Sequence, residues 1–345
     1  MKKIIAIVFL ILYANFSFAC STFLLKRNEK LVFGKNYDWV TGNGMVVVNA
    51  RGIQKTSFTA PGEKSISWIS NWGSITFNQF GKEFPNGGMN EKGLVVELMW
   101  LPGTKYPPKD NRAALNELQW IQFQLDNCST VDEVIATDKI IRISNDNFAP
   151  LHYLIADAKG NAATIEFIER KMVVHKGKDL EHPVLTNTVY KDALIQLKEN
   201  IETYFDNSVQ RFSTACTMVQ QFQTLPENEN AVNYAFTILD KVAQGSYTKW
   251  SIVYDIASLQ IHFKSNEILR NISFDQFDFA CNNNTPYFNL NNPKSGMVFN
   301  SFNTLSFLEN KNLLFQSAKE NSQQLDIPEL VINNAAEYFN EVKCK

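Results

Sequence analysis

Cys20 stands directly behind a segment that reads as a leader to be cut away. Lys2 and Lys3 give a basic start, the run Ile4 to Tyr13 is apolar, and Ser17 and Ala19 place small side chains at −3 and −1. Cleavage after Ala19 would leave a chain beginning with cysteine, so that a thiol and a free α-amine share one residue. An α-amine titrates near about pH 8. Its unprotonated fraction at neutral pH can take the thiol's proton, which makes one residue both nucleophile and base. Three other readings of Cys20 stay open. Lipid attachment favours an aliphatic residue at −3, where this chain has Ser17. A structural disulfide suits any exported cysteine. A retained membrane anchor needs about 20 apolar residues, more than this run supplies.

A terminal nucleophile needs a carboxylate for the amine, a cation for the thiolate and amide donors for the oxyanion. Asp38 and Lys35 lie in Gly34-Lys35-Asn36-Tyr37-Asp38-Trp39, which a first hairpin would bring back toward Cys20. Spacing alone favours a strand-end turn aspartate equally, and a strand lysine is more often exposed. Asn187 follows the apolar Val184-Leu185, where a turn-forming Asn is the commoner case. Arg211 falls on an expected helix, usually a solvated position. A papain-like thiol hydrolase could use His152, His175, His182 or His262, yet no cysteine here has a recognisable nucleophile context with a partner histidine.

The elements that must position these residues come in blocks. Ser21 to Lys26 and Leu31 to Tyr37 flank the polar turn Arg27-Asn28-Glu29-Lys30, a hairpin pattern. Strands are expected at Met45 to Ala50, Ser65 to Ser70 and Ser74 to Phe77, then a turn over Gly87 to Gly93 and a strand from Leu94 to Trp100. Leu115, Leu118, Ile121, Phe123 and Leu125 form a helical stripe, and Thr130-Val131-Asp132-Glu133 resembles a capping box. Strands resume at His152 to Asp157, Ala163 to Glu169 and Val173 to His175. Helices are expected near Lys191 to Tyr204, Ser208 to Phe222 and Ala231 to Val242, then a hairpin of Trp250 to Tyr254 with Leu259 to Phe263. The Asn-rich stretch Asn282 to Pro293 reads as a loop, and Pro328 to Val342 as a terminal helix. Blocks of strands and groups of helices make an α+β plan rather than strict βαβ alternation.

Composition narrows the function. Without residues 1–19 the chain has 326 of its 345 residues, and losing Lys2 and Lys3 takes the formal charge from −2 to −4. No basic patch supports nucleic-acid binding. The 26 Phe and six Trp supply a large core and could also line an apolar pocket. Cys128, Cys216, Cys281 and Cys344 are far apart with no C-x-x-C pair, which gives zinc little support. They could form two disulfides; Cys281 and Cys344 are the more plausible to pair, and the odd total leaves one cysteine over.

Read in order, the motifs resemble the choloylglycine hydrolase and penicillin V acylase family of N-terminal-nucleophile hydrolases. The resemblance rests on Cys20-Ser-Thr-Phe, Gly34-Lys-Asn-Tyr-Asp38-Trp39, Gly88-Met-Asn-Glu-Lys-Gly-Leu94, Leu185-Thr-Asn187 and Ser208-Val-Gln-Arg211-Phe212. Thr248-Lys-Trp-Ser-Ile-Val-Tyr-Asp255 and Ser258-Leu-Gln260 extend it. It implies an αββα four-layer sandwich over a single hydrolase domain, residues 20–345, of which about 270–345 match poorly. It implies hydrolysis of a linear non-peptide amide with no metal or organic cofactor, and the leader at residues 1–19 adds the expectation of an exported protein, periplasmic or secreted. Cys20 would be nucleophile and base, Asp38 would hold the amine, Asn187 would meet the oxyanion, and Arg211 would support the nucleophile. Two departures stand out. Lys35 occupies the place of a usual Arg, keeping the charge without the planar fork, so weak activity or a secreted or lipid-anchored binding role remains open. Trp100 stands where many bile salt hydrolases have Asn, and with Trp39 it resembles the Gram-negative branch, either as acyl-pocket lining or as core. Penicillin V, conjugated bile salts and acyl homoserine lactones are the substrate types implied. A homo-tetramer is common in the family.

Overall fold

A computed structural model of the chain describes residues 20–145, 148–199, 207–282 and 284–345. The leader expected over residues 1–19, and residues 200–204 at the end of an expected helix, lie outside these.

The first hairpin forms because strands Ser21–Arg27 and Lys30–Asp38 are joined only by Asn28 and Glu29. Asn28 takes the left-handed conformation (φ 50°) that asparagine tolerates. Its register pairs Ser21 with Asn36 and Thr22 with Lys35. Cys20 therefore lies beside the Tyr37–Asp38 end. Both strands are almost wholly buried, as strands covered on two faces must be.

That hairpin belongs to a seven-stranded sheet. In spatial order it runs Val184–Leu185, Ser21–Arg27, Lys30–Asp38, Thr248–Asp255, Gln260–Ser265, Ile268–Ser273 and Gly296–Met297. A nine-stranded sheet runs Lys171–Lys176, Ala162–Ile168, Leu151–Ala156, Val95–Trp100, Gly87–Asn90, Ser74–Asn78, Met45–Asn49, Pro286–Asn289 and Asn303–Thr304. The sheets meet through apolar side chains such as Phe77, whose ring contacts Trp250, Tyr254 and Phe263. The helices are α1 (Glu117–Asn127), α2 (Val131–Ala136), α3 (Tyr190–Lys198), α4 (Asn207–Phe222), α5 (Ala231–Lys241), α6 (Phe307–Glu320) and α7 (Glu329–Glu341). α4 and α5 pack on the seven-stranded sheet and α1 on the nine-stranded one, completing the αββα sandwich. No helix among the described residues is long and apolar enough to cross a membrane.

Several expectations are corrected. Gly87 to Asn90 is a strand, with the turn confined to the residues that follow. Gly87 is needed for close approach: a Cβ there would sit 2.2 Å from the Glu97 carboxyl carbon. Leu115 ends a short strand, Ala113–Leu115, and the helix starts only at Glu117 because Asn116 caps it. The Asn-rich stretch contains the strand Pro286–Asn289, whose Phe288 is fully buried. Strands Ile53–Thr56 and Ile268–Ser273 and helix α6 were not anticipated. A capping box on Ser306 and Glu309 marks the start of α6 and was legible. Of the cysteines, Cys281 and Cys344 pair, while Cys20, Cys128 and Cys216 are all free and buried.

The disulfide joins residues 63 apart and encloses the whole α6–α7 hairpin. Cross-linking a loop of that length typically stabilises by about 2–4 kcal/mol through the unfolded state. Replacing both residues (Cys281→Ser with Cys344→Ser) should lower the thermal midpoint. Reductant should shift the parent in the same direction and leave the double variant unmoved.

Candidate active site

Alternation along Lys30–Asp38 decides which side chains can reach Cys20. Lys35 and Tyr37 point toward the nine-stranded sheet, where Lys35 Nζ donates to the Leu98 carbonyl and Tyr37 Oη donates to Gln79 Oε1 (2.8 Å). Asn36 points the other way and donates to the Leu239 carbonyl of α5 (2.8 Å). Asp38, on the same side as Asn36, accepts from the Thr248 hydroxyl at Oδ1. Its Oδ2 is buried with no hydrogen-bond partner among the described residues. The Cys20 thiol lies 4.0 Å from the Asp38 carbonyl oxygen, to which it donates.

Arg211 reaches this corner from α4. Nη1 donates to the Cys20 carbonyl and to Ser21 Oγ, both at 2.6 Å, Nη2 to Asn187 Oδ1 (2.9 Å) and Nε to Asn207 Oδ1 (2.7 Å). The expected solvated arginine is thus 4% exposed and wholly engaged. Asn187 is held from three sides. It accepts from Arg211, its backbone N–H donates to Ser208 Oγ (2.9 Å), and its Nδ2 donates to the Trp100 carbonyl (2.7 Å). The structure therefore brings Cys20, Asp38, Asn187 and Arg211 together at one end of the seven-stranded sheet.

Lys35 is buried rather than exposed. Its ammonium lies 3.8 Å from the equally buried Glu97, which also accepts from Tyr254 Oη (2.5 Å). Sequence reasoning gave Glu97 no role. The signal was a lone acid inside the apolar strand Val95–Trp100. Tyr37, Thr248 and Ser21 lay inside the recognised motifs but were assigned no task.

Burial sets the electrostatics. It pushes the Cys20 thiol up, against the pull of Lys35, Arg211 and the backbone hydrogen bond, with Asp38 adding to the rise. Burial lifts the Asp38 carboxyl to about 7 against Arg211, the Thr248 hydroxyl and Lys35. Glu97 is likewise lifted to about 7 by burial, opposed by Lys35 and Tyr254. Cys128 is pushed up to about 12 and Cys216 well above its usual range, both chiefly by burial, which makes them unreactive.

None of the four histidines is placed as a base for Cys20. His152 bridges Glu166 Oε1 (3.2 Å) and the Thr186 carbonyl (2.7 Å), so it braces the segment that carries Asn187. His175 contacts Thr164 and Glu166. His182 and His262 do not line the cavity that opens at Cys20.

That cavity and the open solvent at its mouth together make up about 860 Å³ of empty space. Cys20, Tyr37, Trp39 and Trp100 line it near the thiol, and the Trp39 and Trp100 rings lie 5.5 Å apart at 42°. Phe58, Phe84, Leu118 and Phe148 continue the wall, and residues of α6, α7 and their connection complete it. The two tryptophans are therefore pocket lining as well as core.

The description "linear amide C–N hydrolases, choloylglycine hydrolase family" matches residues 20–224. A penicillin V acylase of Pectobacterium atrosepticum is 32% identical over 151 residues, 39% of this chain and only 40% of that protein's length. The solved penicillin V acylase from Agrobacterium tumefaciens superposes with a TM-score of 0.70 at 24% identity, over 83% of this chain and 98% of that one. A mutant of the conjugated bile acid hydrolase from Clostridium perfringens gives 0.67 at 15% identity, over 80% and 98%. These two share the fold.

A pH test follows from Asp38. In the uncut chain Cys20 is in peptide linkage with Ala19 and no α-amine exists to meet Oδ2. A carboxyl near 7 when folded, against its ordinary 3.8, keeps a proton that the unfolded chain gives up between about pH 4 and 7. Its contribution is thus present below that window and is lost as pH rises through it. Equilibrium unfolding of the uncut protein should show stability falling from pH 5 to pH 8, and Asp38→Asn should flatten part of that slope.

Proposed function

The chain belongs to the linear amide C–N hydrolases of the choloylglycine hydrolase family, and on that premise we propose that it is an exported cysteine amidase acting on N-acyl substrates. The observation that carries this reading is the buried Asp38 Oδ2 left without a partner beside Cys20. Removal of residues 1–19 would create an α-ammonium on Cys20, and a buried carboxylate with one open oxygen is the group to receive it. Such a partner would also pull the Asp38 carboxyl down from its raised value. The disulfide between Cys281 and Cys344 supports an oxidising compartment, hence export to the periplasm or beyond.

The amine, in its neutral form, takes the thiol proton as sulfur attacks the acyl carbon. Lys35 and Arg211 favour the thiolate. One hydrogen of Asn187 Nδ2 is held by the Trp100 carbonyl, and the other is directed to the tetrahedral oxyanion. Collapse breaks the C–N bond, the leaving amine carries away the proton, and a thioester remains on Cys20. Water, deprotonated by the same α-amine, then releases the acid. The apolar cavity beside the thiol suits an apolar acyl group, as in penicillin V, conjugated bile salts or acyl homoserine lactones.

Lys35 favours a second reading. Its ammonium is fastened to the Leu98 carbonyl and Glu97 rather than to the thiol. On that reading the protein is a binding protein of the same fold with weak turnover.

One experiment separates the readings. Exported protein should have the mass of the chain starting at Cys20 with a free amine, and should hydrolyse N-acyl amides. Cys20→Ser should lose activity by a factor on the order of 10³. A lipid-modified or uncut terminus, or undiminished turnover by Cys20→Ser, would sink the amidase reading. Cleavage without turnover would favour the binding protein.

A further inference from the structure

We propose that the α6–α7 hairpin is the length gauge for the acyl group, closing the far part of the pocket around a hydrocarbon chain. The proposal rests on the amidase reading for the thiol end of the site. The hairpin lies beyond the stretch matched by the family description, which stops at residue 224. Leu314 and Ala318 of α6, Leu325 and Ile327 of the connection, and Val331 and Ile332 of α7 all face the cavity that contains Cys20.

The hairpin is fastened on both sides of the pocket. On one side, Asn321 Oδ1 accepts from the Trp39 indole, Ser317 Oγ donates to the Gln79 carbonyl (2.6 Å), and Asn310 Oδ1 accepts from the Lys82 N–H (2.7 Å). Gly81, at φ +80°, lets α6 come this close, since a Cβ there would meet Asn310 Oδ1 at 2.9 Å. On the other side, Tyr338 Oη donates to the Thr56 carbonyl (2.5 Å) and accepts from Gln119 Nε2 (3.1 Å). The disulfide Cys281–Cys344 closes the end of the hairpin covalently. Trp39 lines the pocket beside Cys20, so the same hairpin fixes a wall at the reacting end as well.

The chemistry of the lining selects the occupant. Its polar side chains are Asn86, Asn116 and Glu117 along the wall, with the Tyr37 hydroxyl and the Trp39 and Trp100 indoles near the thiol. Asn86 is bonded to Gln79 N–H and the Tyr37 hydroxyl, Asn116 caps α1, and Glu117 accepts from the Phe148 and Ala149 N–H groups. Hydroxyls on an acyl group would meet side chains already engaged and would be desolvated with little return. A plain hydrocarbon chain has no such cost and gains from each buried methylene.

The test compares butanoyl and dodecanoyl amides of one fluorescent amine, aminomethylcoumarin, in the processed protein. Val331→Trp fills the far part of the pocket. The ratio of dodecanoyl to butanoyl kcat/KM should fall at least about tenfold, the loss expected when a pair of methylenes lose their burial. A merely structural role would lower both substrates together and leave the ratio unchanged, which overturns the proposal. Should Val331→Trp fail to fold, Cys281→Ser with Cys344→Ser should raise the dodecanoyl KM more than the butanoyl KM; equal changes overturn it. Calorimetric titration of dodecanoate into Cys20→Ser reads the pocket without turnover. Binding that Val331→Trp weakens supports the gauge even if no amide is cleaved, in which case the amidase reading alone fails. No binding of dodecanoate overturns the gauge.

Discussion

The buried guanidinium of Arg211 is the tie on which the rest of this corner depends. A charge taken out of water is tolerated only when its donors are met in good geometry. Here the acceptors come from the start of the first strand, from Asn187 after the Val184–Leu185 strand, and from the first turn of α4. Sheet pairing already sets the register of the first strand against Val184–Leu185, and Ser208 ties α4 to Thr186 and Asn187. Arg211 adds a side-chain link across the same segments, joining Cys20 and Ser21 to Asn187 and Asn207. The fork that satisfies the charge therefore also bridges the Cys20 carbonyl to the Asn187 side chain.

Charge balance around the thiol then follows from few groups. Arg211 and Lys35 are cations, and Asp38 and Glu97 are acids, all nearly or wholly out of solvent. Glu97 lies against Lys35, and Tyr254 holds Glu97 in turn. Asp38 shares a hydrogen bond with Thr248 but keeps one oxygen open. A buried acid so incompletely met is costly in the uncut chain. On the proposed reading that cost ends when cleavage supplies an ammonium. Export would then complete the electrostatics of the site as well as free the base.

The sequence was most legible where chemistry and local pattern coincide. Cys20, Asp38, Asn187 and Arg211 were all named from short ordered motifs, and the first hairpin was readable from its polar turn Arg27-Asn28-Glu29-Lys30, which the structure tightens to two residues. Burial was less legible. Lys35 and Arg211 read as solvated because single-residue statistics favour that state, and only the long-range acceptors at Leu98, Cys20 and Asn187 reverse it. Glycines misled for a related reason. Gly87 signals a turn locally, yet here it gives room to Glu97 from the next strand, a contact that spacing does not encode. The strand Pro286–Asn289 was hidden in the same way, since its partner Met45–Asn49 lies far back in the chain.

The C-terminal hairpin shows why a reading led by motifs stops short of specificity. Catalytic groups leave a signature because the chemistry needs fixed residue types. An apolar wall needs only volume and shape, which Leu, Ile and Val supply interchangeably, so Val331 and Ile332 carry no motif. What the hairpin does require is a firm attachment, because a wall that moves cannot discriminate by length. Its attachments are specific: Asn321 to Trp39, Asn310 to the Lys82 N–H, Tyr338 to Thr56, and the disulfide. Those contacts join α6 and α7 to the segments that hold Trp39 and Phe84. On the proposed reading, selection of the acyl group is coupled mechanically to the reacting end through Trp39, although the residues that contact the far end of the chain can vary without touching the thiol.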